Sequence, residues 1–534
     1  MSDKTNKPTY KKAPGKFSGK RRPGTSFSKA PSSSADSSKK DTSPRKFPKD
    51  RGRKNEDVAT DEPKKEPLTL LQPVSWSPKG EAVIMEGNKR FLLWGGIPNE
   101  KALFRSVHKG QNQDILEFVG TKTPHSTRIT PICEHYTRCG GCPFMHMRDV
   151  GQHNAKLSLL HKHLAKKGLL EHAPSSIYSD MSLRFRHQTK LVVTSEEGSL
   201  QVGVRNRRND VASIPNCEVI TKQLKLLNKR LAHKIIEMSK GNPEDRIYAY
   251  EGEGKPGLRY VVMRQSLSNQ GTHVCFVATH PRKSYQQLAE WLMTSNIPIS
   301  GVSLHINTEE GNAIFSKNNK GQIAYELLRG TETIEETVNG ITYEIGPGDF
   351  FQVNPRVAGK LQEDLLVHAR RFADHPMVDL YCGVGFFSLA LSKEFNHVIG
   401  IEGVEGSIIR ARNNAINNQL KAEFFAGVVD DVLDDNIAKL NRPFVVVDPA
   451  RRGLESFVID SLHQHLPCAI AYISCSPRSF AEDIADFVSR GWKVSSMQAY
   501  DMIPNSAHVE MMALLEPSES LQSQFRKPRR KIVG

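Results

Sequence analysis

The chain has no stretch of about 18 consecutive apolar residues, the length a bilayer-crossing helix needs, so no membrane span is expected. Its first residues lack the apolar core of a secretory signal. The Ser-, Lys- and Pro-rich start weakly resembles an organelle transit segment, but the early Asp3 and the excess of Lys over Arg argue against one. The expected compartment is therefore cytoplasmic. Cysteine is scarce, with eight in 534 residues, at positions 133, 139, 142, 217, 275, 382, 468 and 475. So sparse a set reads as metal binding or catalysis rather than a disulfide framework. Residues 1–66 are almost devoid of large aliphatic side chains. They cannot bury enough apolar surface to offset their ordering entropy, and a disordered basic tail is expected there. Acidic residues are also in deficit: 58 Asp and Glu against 74 Lys and Arg leave a net charge of +16. That excess points to a polyanionic partner, most simply nucleic acid.

The length suggests roughly three or four domains. Between 67 and 130, five short runs (T-L-L-Q-P-V-S-W, E-A-V-I-M-E, R-F-L-L-W-G-G, K-A-L-F-R-S-V-H and D-I-L-E-F-V-G) are separated by turn signals. Five close strands predict a small barrel of the OB type. A central domain over 131–340 opens with P-I-C-E-H-Y-T-R-C-G-G-C-P-F-M-H-M. Cys133, Cys139 and Cys142 are spaced to clamp one metal centre, with Cys217 as the fourth thiolate. Four cysteines suit zinc or an iron–sulfur cluster equally, and His135 and His146 keep a mixed zinc site open. Residues 150–172 read as an amphipathic basic helix with Leu157, Leu159, Leu160 and Leu164 on its apolar stripe. Strands over 183–220 carry Arg and Lys in a strip suited to backbone phosphates. The last domain, 341–516, alternates strands and helices and predicts a parallel, doubly wound α/β sheet. A basic tail is expected over 517–534.

Chemistry concentrates in that last domain. D-L-Y-C-G-V-G-F-F, from Asp379, is a glycine turn between strand and helix, and Glu402 closes the next strand about 20 residues later. An acid there suits a ribose, and without a pyrophosphate signature S-adenosylmethionine fits better than a dinucleotide. Asp448 closes F-V-V-V-D-P-A-R-R-G, and Cys475 follows the strand A-I-A-Y-I-S at its carboxyl end, where open α/β sheets do chemistry. A-H-V-E places Glu510 at the start of the last strand. A thiolate, a carboxylate and a methyl donor fit one reaction. Carbon 5 of uracil is a poor nucleophile until a thiolate adds to carbon 6, and a base must then take the carbon 5 proton. Cys475 is the expected nucleophile and Glu510 the base. The target base must leave its stack, with Phe350 and Phe351 as candidates to stack on it and core packing at least as fitting for one of them.

The ordered set F-F-Q-V-N, D-L-Y-C-G-V-G, G-I-E-G, V-D-P-A-R-R-G, I-S-C-S-P and A-H-V-E resembles the RNA (uracil-C5)-methyltransferase family over roughly residues 68–516. The upstream region is similar to members with a TRAM barrel and an iron–sulfur site, typically those acting on 23S rRNA. The resemblance implies a class I, Rossmann-like methyltransferase domain behind the barrel and the central RNA-binding domain. It implies [4Fe-4S] ligation by Cys133, Cys139, Cys142 and Cys217, which decides between zinc and cluster. It also implies cofactor contacts from Gln352, Tyr381, Glu402 and Asp448, with Cys475 and Glu510 catalytic. Two positions depart from the family pattern: Phe386 replaces an Asn found after the glycine turn in some members, and Ser476 replaces the Asn of S-C-N-P. The expected partner is RNA, with 23S rRNA preferred and the tRNA T-loop uridine as the rival, and the expected state is a monomer. The rival from another class is a non-catalytic RNA-binding or assembly factor, and cytosine-C5 transfer is a weaker alternative.

Overall fold

The computed structural model describes residues 68–526 apart from 253–254, 319–321, 430–432 and 435–436, and of 524–526 it describes the backbone alone. The basic tail expected over 1–66 and most of the C-terminal one lie outside the described residues. The 517–534 segment opens on a helix, Glu519–Arg526, directly after the last strand ends at Pro517. Among the described residues no helix is long and apolar enough to cross a membrane.

Residues 69–120 form six strands where five were expected, because Pro73 has no N–H to give a ladder and splits T-L-L-Q-P-V-S-W into Thr69–Leu71 and Ser75–Trp76. These two pieces are the opposite edges of one six-stranded sheet. A flat sheet of six strands is about 24 Å across. The three residues that join its edges reach about 14 Å at most. The sheet must therefore curl, and Ala82, Leu93, Ala102, Phe104 and Leu116 fill its inside.

The central region is a seven-stranded sheet in which Thr272–Ala278 and Ile299–Ile306 run parallel and the other neighbours antiparallel. The helix Lys283–Met293 makes the parallel crossover and packs with Lys222–Met238 over one core. Part of the expected basic strip is engaged elsewhere: Arg186 faces the Cys142 and Cys217 thiols, and Lys190 stands over the Tyr260 ring at 4.6 Å.

The expected domain limit at 341 falls inside a hairpin. Ile334–Val338 pairs with Ile341–Ile345 around Asn339 and Gly340, both at positive φ, the two-residue turn that an Asn-Gly pair favours. Ile334 and Val338 belong to the C-terminal core, so this unit begins before 341.

The C-terminal sheet has the order Glu423–Ala426, Val398–Glu402, Met377–Leu380, Phe444–Val447, Ala469–Ser474, Glu510–Pro517, Trp492–Tyr500. The first five are parallel as expected, and the inner ones are largely apolar because they are buried on both faces. The last strand in the sequence inserts antiparallel between the two before it, so the sheet is mixed rather than wholly parallel. The predicted helix at 150–172 is Asp149–Ala165, and its four stripe leucines are buried. Leu160 and Leu164 pack in the core of this last sheet, with Ile470, Tyr472 and Phe480. A helix counted with the central domain is thus part of the C-terminal one.

Candidate active site

Every expected catalytic or cofactor residue except Gln352 lies at or just beyond the carboxyl ends of the parallel strands, or on the antiparallel strand beside them. Met377–Leu380 ends in Asp379, Leu380 and the turn. Tyr381 there sits at φ +66°, a conformation rare for a bulky residue and typical of functional sites. Gly385, at φ +88°, starts the helix Phe386–Leu391, and a side chain there would meet the Phe424 ring at 3.1 Å. Glu402 receives the N–H groups of Gly383 (3.2 Å) and Val404 (2.8 Å), yet burial raises its carboxyl above the ordinary range.

Asp379 was not singled out by the sequence, although it opens the glycine motif. It is fully buried, and one oxygen accepts from the Ser388 N–H (2.9 Å) and hydroxyl (2.5 Å). Its Oδ1 has no partner in the protein. Burial pushes this carboxyl up to about 7, against the two bonds from Ser388. An orphaned buried carboxylate oxygen beside a glycine turn fits a donor supplied by a ligand. Asn354 of F-F-Q-V-N is likewise 1% exposed with both ends of its amide unpartnered.

Gln352 is buried, and its backbone oxygen is held by His187 Nε2 at 3.0 Å. The two neighbouring phenylalanines part company: Phe351 is buried among His187, Tyr343 and Phe386, whereas Phe350 is 68% exposed. Phe386 fills that same aromatic cluster, which accounts for an apolar residue where some members have Asn.

The pair Cys475 and Glu510 is set by sheet register. Ser474 lies opposite Met511, so the next residues outward on the two strands are Cys475 and Glu510. Ser476 caps the helix Pro477–Ser489 by accepting from the Ser479 N–H, a role that Ser and Asn fill equally well. The departure from S-C-N-P therefore keeps the turn that presents the thiol. Burial raises the Cys475 thiol to about 11, with Glu510 and Asp448 acting the same way and Arg451 opposing them by charge and hydrogen bond. Glu510 is raised well above the ordinary carboxyl range by burial and by Asp448, again opposed by Arg451. Burial raises Asp448 to about 7. One guanidinium faces three acidic groups here, and burial disfavours ionising all three together. Arg451 is the member of this cluster that sequence reasoning passed over. Its position two residues after Pro449, at a strand end, was the available signal.

The barrel-like sheet and the cysteine-rich segment lie within residues 68–187, ahead of the central sheet. Cys133, Cys139 and Cys142 from one loop and Cys217 from another lie within electrostatic reach of one another. Cys133, Cys142 and Cys217 pack against Met145, Phe185 and Val219. Burial raises the Cys133, Cys139 and Cys142 thiols. Such thiols ionise readily only beside a cation. Among the described residues no three His, Cys, Asp or Glu side chains are grouped closely enough to clasp an ion as they stand. The donor set is nonetheless that of a thiophilic centre, with Arg186 near Cys217 and Cys142. Of the two candidates for a mixed zinc site, His146 is occupied, with Nδ1 facing the Tyr136 hydroxyl at 2.7 Å and Nε2 the Gly96 oxygen at 3.2 Å, and His135 Nε2 lies 3.2 Å from the Glu134 carboxylate.

Comparison with known proteins bears on the fold and the family of this chain. Residues 312–518 match the family model for tRNA (uracil-5-)-methyltransferase. An RNA methyltransferase of Geobacter sulfurreducens is 29% identical over 79% of this chain and 84% of its own. The 23S rRNA (uracil(1939)-C(5))-methyltransferase RlmD of Aliivibrio fischeri is 26% identical over 82% of this chain and 93% of its own. Among solved structures, Pyrococcus abyssi tRNA (uracil-54, C5)-methyltransferase, in complex with S-adenosyl-L-homocysteine, shares the fold with a TM-score of 0.64. The two are 22% identical over 84% of this chain and 99% of that one. The chain is thus similar to RNA (uracil-C5)-methyltransferases, through residues 312–518 and, in RlmD, through 82% of its length.

Proposed function

We propose that the chain methylates carbon 5 of a uridine in 23S rRNA, with Cys475 as nucleophile and Glu510 as base. The observation that carries this reading is the register that sets Cys475 and Glu510 on adjoining strands, flanked by Asp448 and Arg451. The Cys475 thiolate adds to carbon 6 of the flipped uracil, and the electron pair of the 5,6 double bond makes carbon 5 nucleophilic. S-adenosylmethionine supplies the methyl group. Glu510 then takes the carbon 5 proton, the 5,6 double bond re-forms, and the carbon–sulfur bond breaks with its electron pair returning to Cys475. Arg451 steadies the thiolate before attack and after release. Gln352, Tyr381, Glu402 and Asp448 hold the cofactor, Glu402 at its ribose hydroxyls.

Cys133, Cys139, Cys142 and Cys217 would hold a [4Fe-4S] cluster that shapes the RNA-binding region, and the curled N-terminal sheet is read as a TRAM barrel. Large-subunit RNA is favoured because the sequence relatives whose names give a substrate act on 23S rRNA. The tRNA reading is kept by the family model and by the solved tRNA enzyme of like fold. The cytoplasm and a monomeric state complete the proposal.

The deciding experiment is methyl transfer from labelled S-adenosylmethionine to unmodified total RNA by wild type and Cys475→Ala. Label in 5-methyluridine of the large-subunit RNA, lost in the variant, is expected. Label in the tRNA fraction alone moves the substrate to tRNA. Label in neither, from protein that binds the cofactor, overturns the enzymatic role.

A further inference from the structure

The connection from Tyr500 to Glu510 joins two antiparallel strands that are sheet neighbours. Two to five residues suffice for such a hairpin. Here it is nine residues long, 501–509, without regular structure, and it ends on the proposed base. Pairing with Tyr500 fixes the register of Glu510, and the loop fixes the path by which the chain enters that pair. This loop is pinned from the far side of the sequence by a buried polar network on the helix Asp149–Ala165. Lys156, with no exposed surface, donates to Asp501 and to the Ile503 oxygen (3.1 Å). Gln152 donates to Asn505 Oδ1 (3.1 Å) and accepts from the Asn505 N–H (2.8 Å). Asn505, at φ +63°, also donates to the Ser182 oxygen (2.6 Å), and its own oxygen receives the Phe144 N–H (3.0 Å). Gln152, Lys156, Asp501 and Asn505 are each at most 3% exposed.

Buried ion pairs and amides of this kind are poor sources of stability, because desolvation cancels most of what they contribute. What they supply is a single geometry, since every alternative arrangement leaves a buried group unpaired. Here that geometry is the path of the chain into Glu510. We infer that Gln152, Lys156, Asp501 and Asn505 are positioning residues for the base, setting Glu510 where it removes the carbon 5 proton and so governing release of the methylated RNA. The inference rests on the assignment of Glu510 as the release base. Methyl transfer precedes that step, so the network acts on adduct breakdown and leaves adduct formation alone.

The test follows the covalent adduct in single turnovers, using the full-length protein, the RNA fraction that accepts label and methyl-labelled S-adenosylmethionine. Arrival of label in a denaturation-stable protein–RNA adduct reports methyl transfer, and its decay reports release. Glu510→Gln is the reference and should hold the adduct. In Asn505→Ala and Gln152→Ala the decay should slow at least about tenfold, as expected when a reacting group is misplaced by a fraction of an ångström. Arrival should stay within about twofold of wild type. Thermal melting of each variant accompanies the kinetics. Should Asn505→Ala fail to fold, Gln152→Ala, which leaves every residue of the loop in place, carries the test. Wild-type decay in both amide variants, with Glu510→Gln still trapping, overturns the positioning role alone. So does equal slowing of arrival and decay, which marks a scaffold effect. Wild-type decay in Glu510→Gln overturns the base assignment and this inference with it.

Discussion

A thiol raised to about 11 is mostly protonated at neutral pH, and each unit below that value lowers the thiolate fraction tenfold. Adduct formation should therefore rise with pH between 7 and 10, and the raised Glu510 carboxyl bends the release step the same way. Arg451 opposes both shifts, so Arg451→Ala should move the rising limb to higher pH and cut the single-turnover rate at pH 7 by about tenfold. Arg451→Lys should restore part of the loss. A pH–rate profile that does not move would remove Arg451 from the site. Asp379 allows a check on stability. Its carboxyl in the fold is raised to about 7 from an ordinary value near 4, so the contribution of this group is fully present below about pH 4 and is lost as pH rises through 7. Asp379→Asn is neutral at every pH. It should melt a few degrees above wild type at pH 8, with the two curves meeting near pH 4. Cofactor affinity measured by calorimetry should fall in the same variant, because the unpartnered Oδ1 is an acceptor that the amide keeps without the charge.

At the scale of elements, the helix Asp149–Ala165 serves a domain other than the one its sequence neighbours suggest. Leu160 is fully buried against the C-terminal sheet, so Leu160→Ala should cost about 2–5 kcal/mol and lower the urea midpoint of that sheet's unfolding. Leu170→Ala, at a residue 51% exposed, is the matched control and should change nothing. This helix also marks what was legible in the sequence. Its existence and apolar stripe were plain from spacing, because periodicity records which face is buried. What it is buried against was not, since the partner strands lie some 300 residues away and a stripe of leucines fits any apolar surface. The strand ends carrying Asp448 and Cys475 were legible for a related reason: wholly apolar runs stopped by Pro449 and by Pro477 announce buried strands and their ends. The reversed direction of Glu510–Pro517 left no such mark, because M-M-A-L-L reads alike in a parallel or an antiparallel pair. The break at Pro73 and the Asn339-Gly340 turn were both written in the sequence as backbone chemistry, and both moved an expected boundary.

For the whole molecule, the four thiols lie on two segments of the central region, and Arg186 beside them comes from a third. Cys217→Ser should lose iron and labile sulfide, measured chemically, and with them soluble yield, before it loses turnover per folded molecule. Full yield without iron would separate folding from the cluster. The positive charge is concentrated partly in residues 1–66, whose removal should weaken RNA binding mainly at low salt. The slope of log affinity against log salt, measured with and without these residues, checks it. An unchanged slope would leave the segment without contact to phosphate.

The bond between Gln152 and Asn505 spans 353 positions. During synthesis at about 5–20 residues per second, that separation corresponds to roughly 20–70 s. Through that interval the buried-to-be Lys156 lacks Asp501 and Ile503, and the loop that leads to the proposed base does not yet exist. The joint between the two ends of the chain is thus among the last to close, and it lies beside the proposed base. A fragment that ends before Asp501 leaves Lys156 without these partners and should therefore aggregate more readily than the full chain.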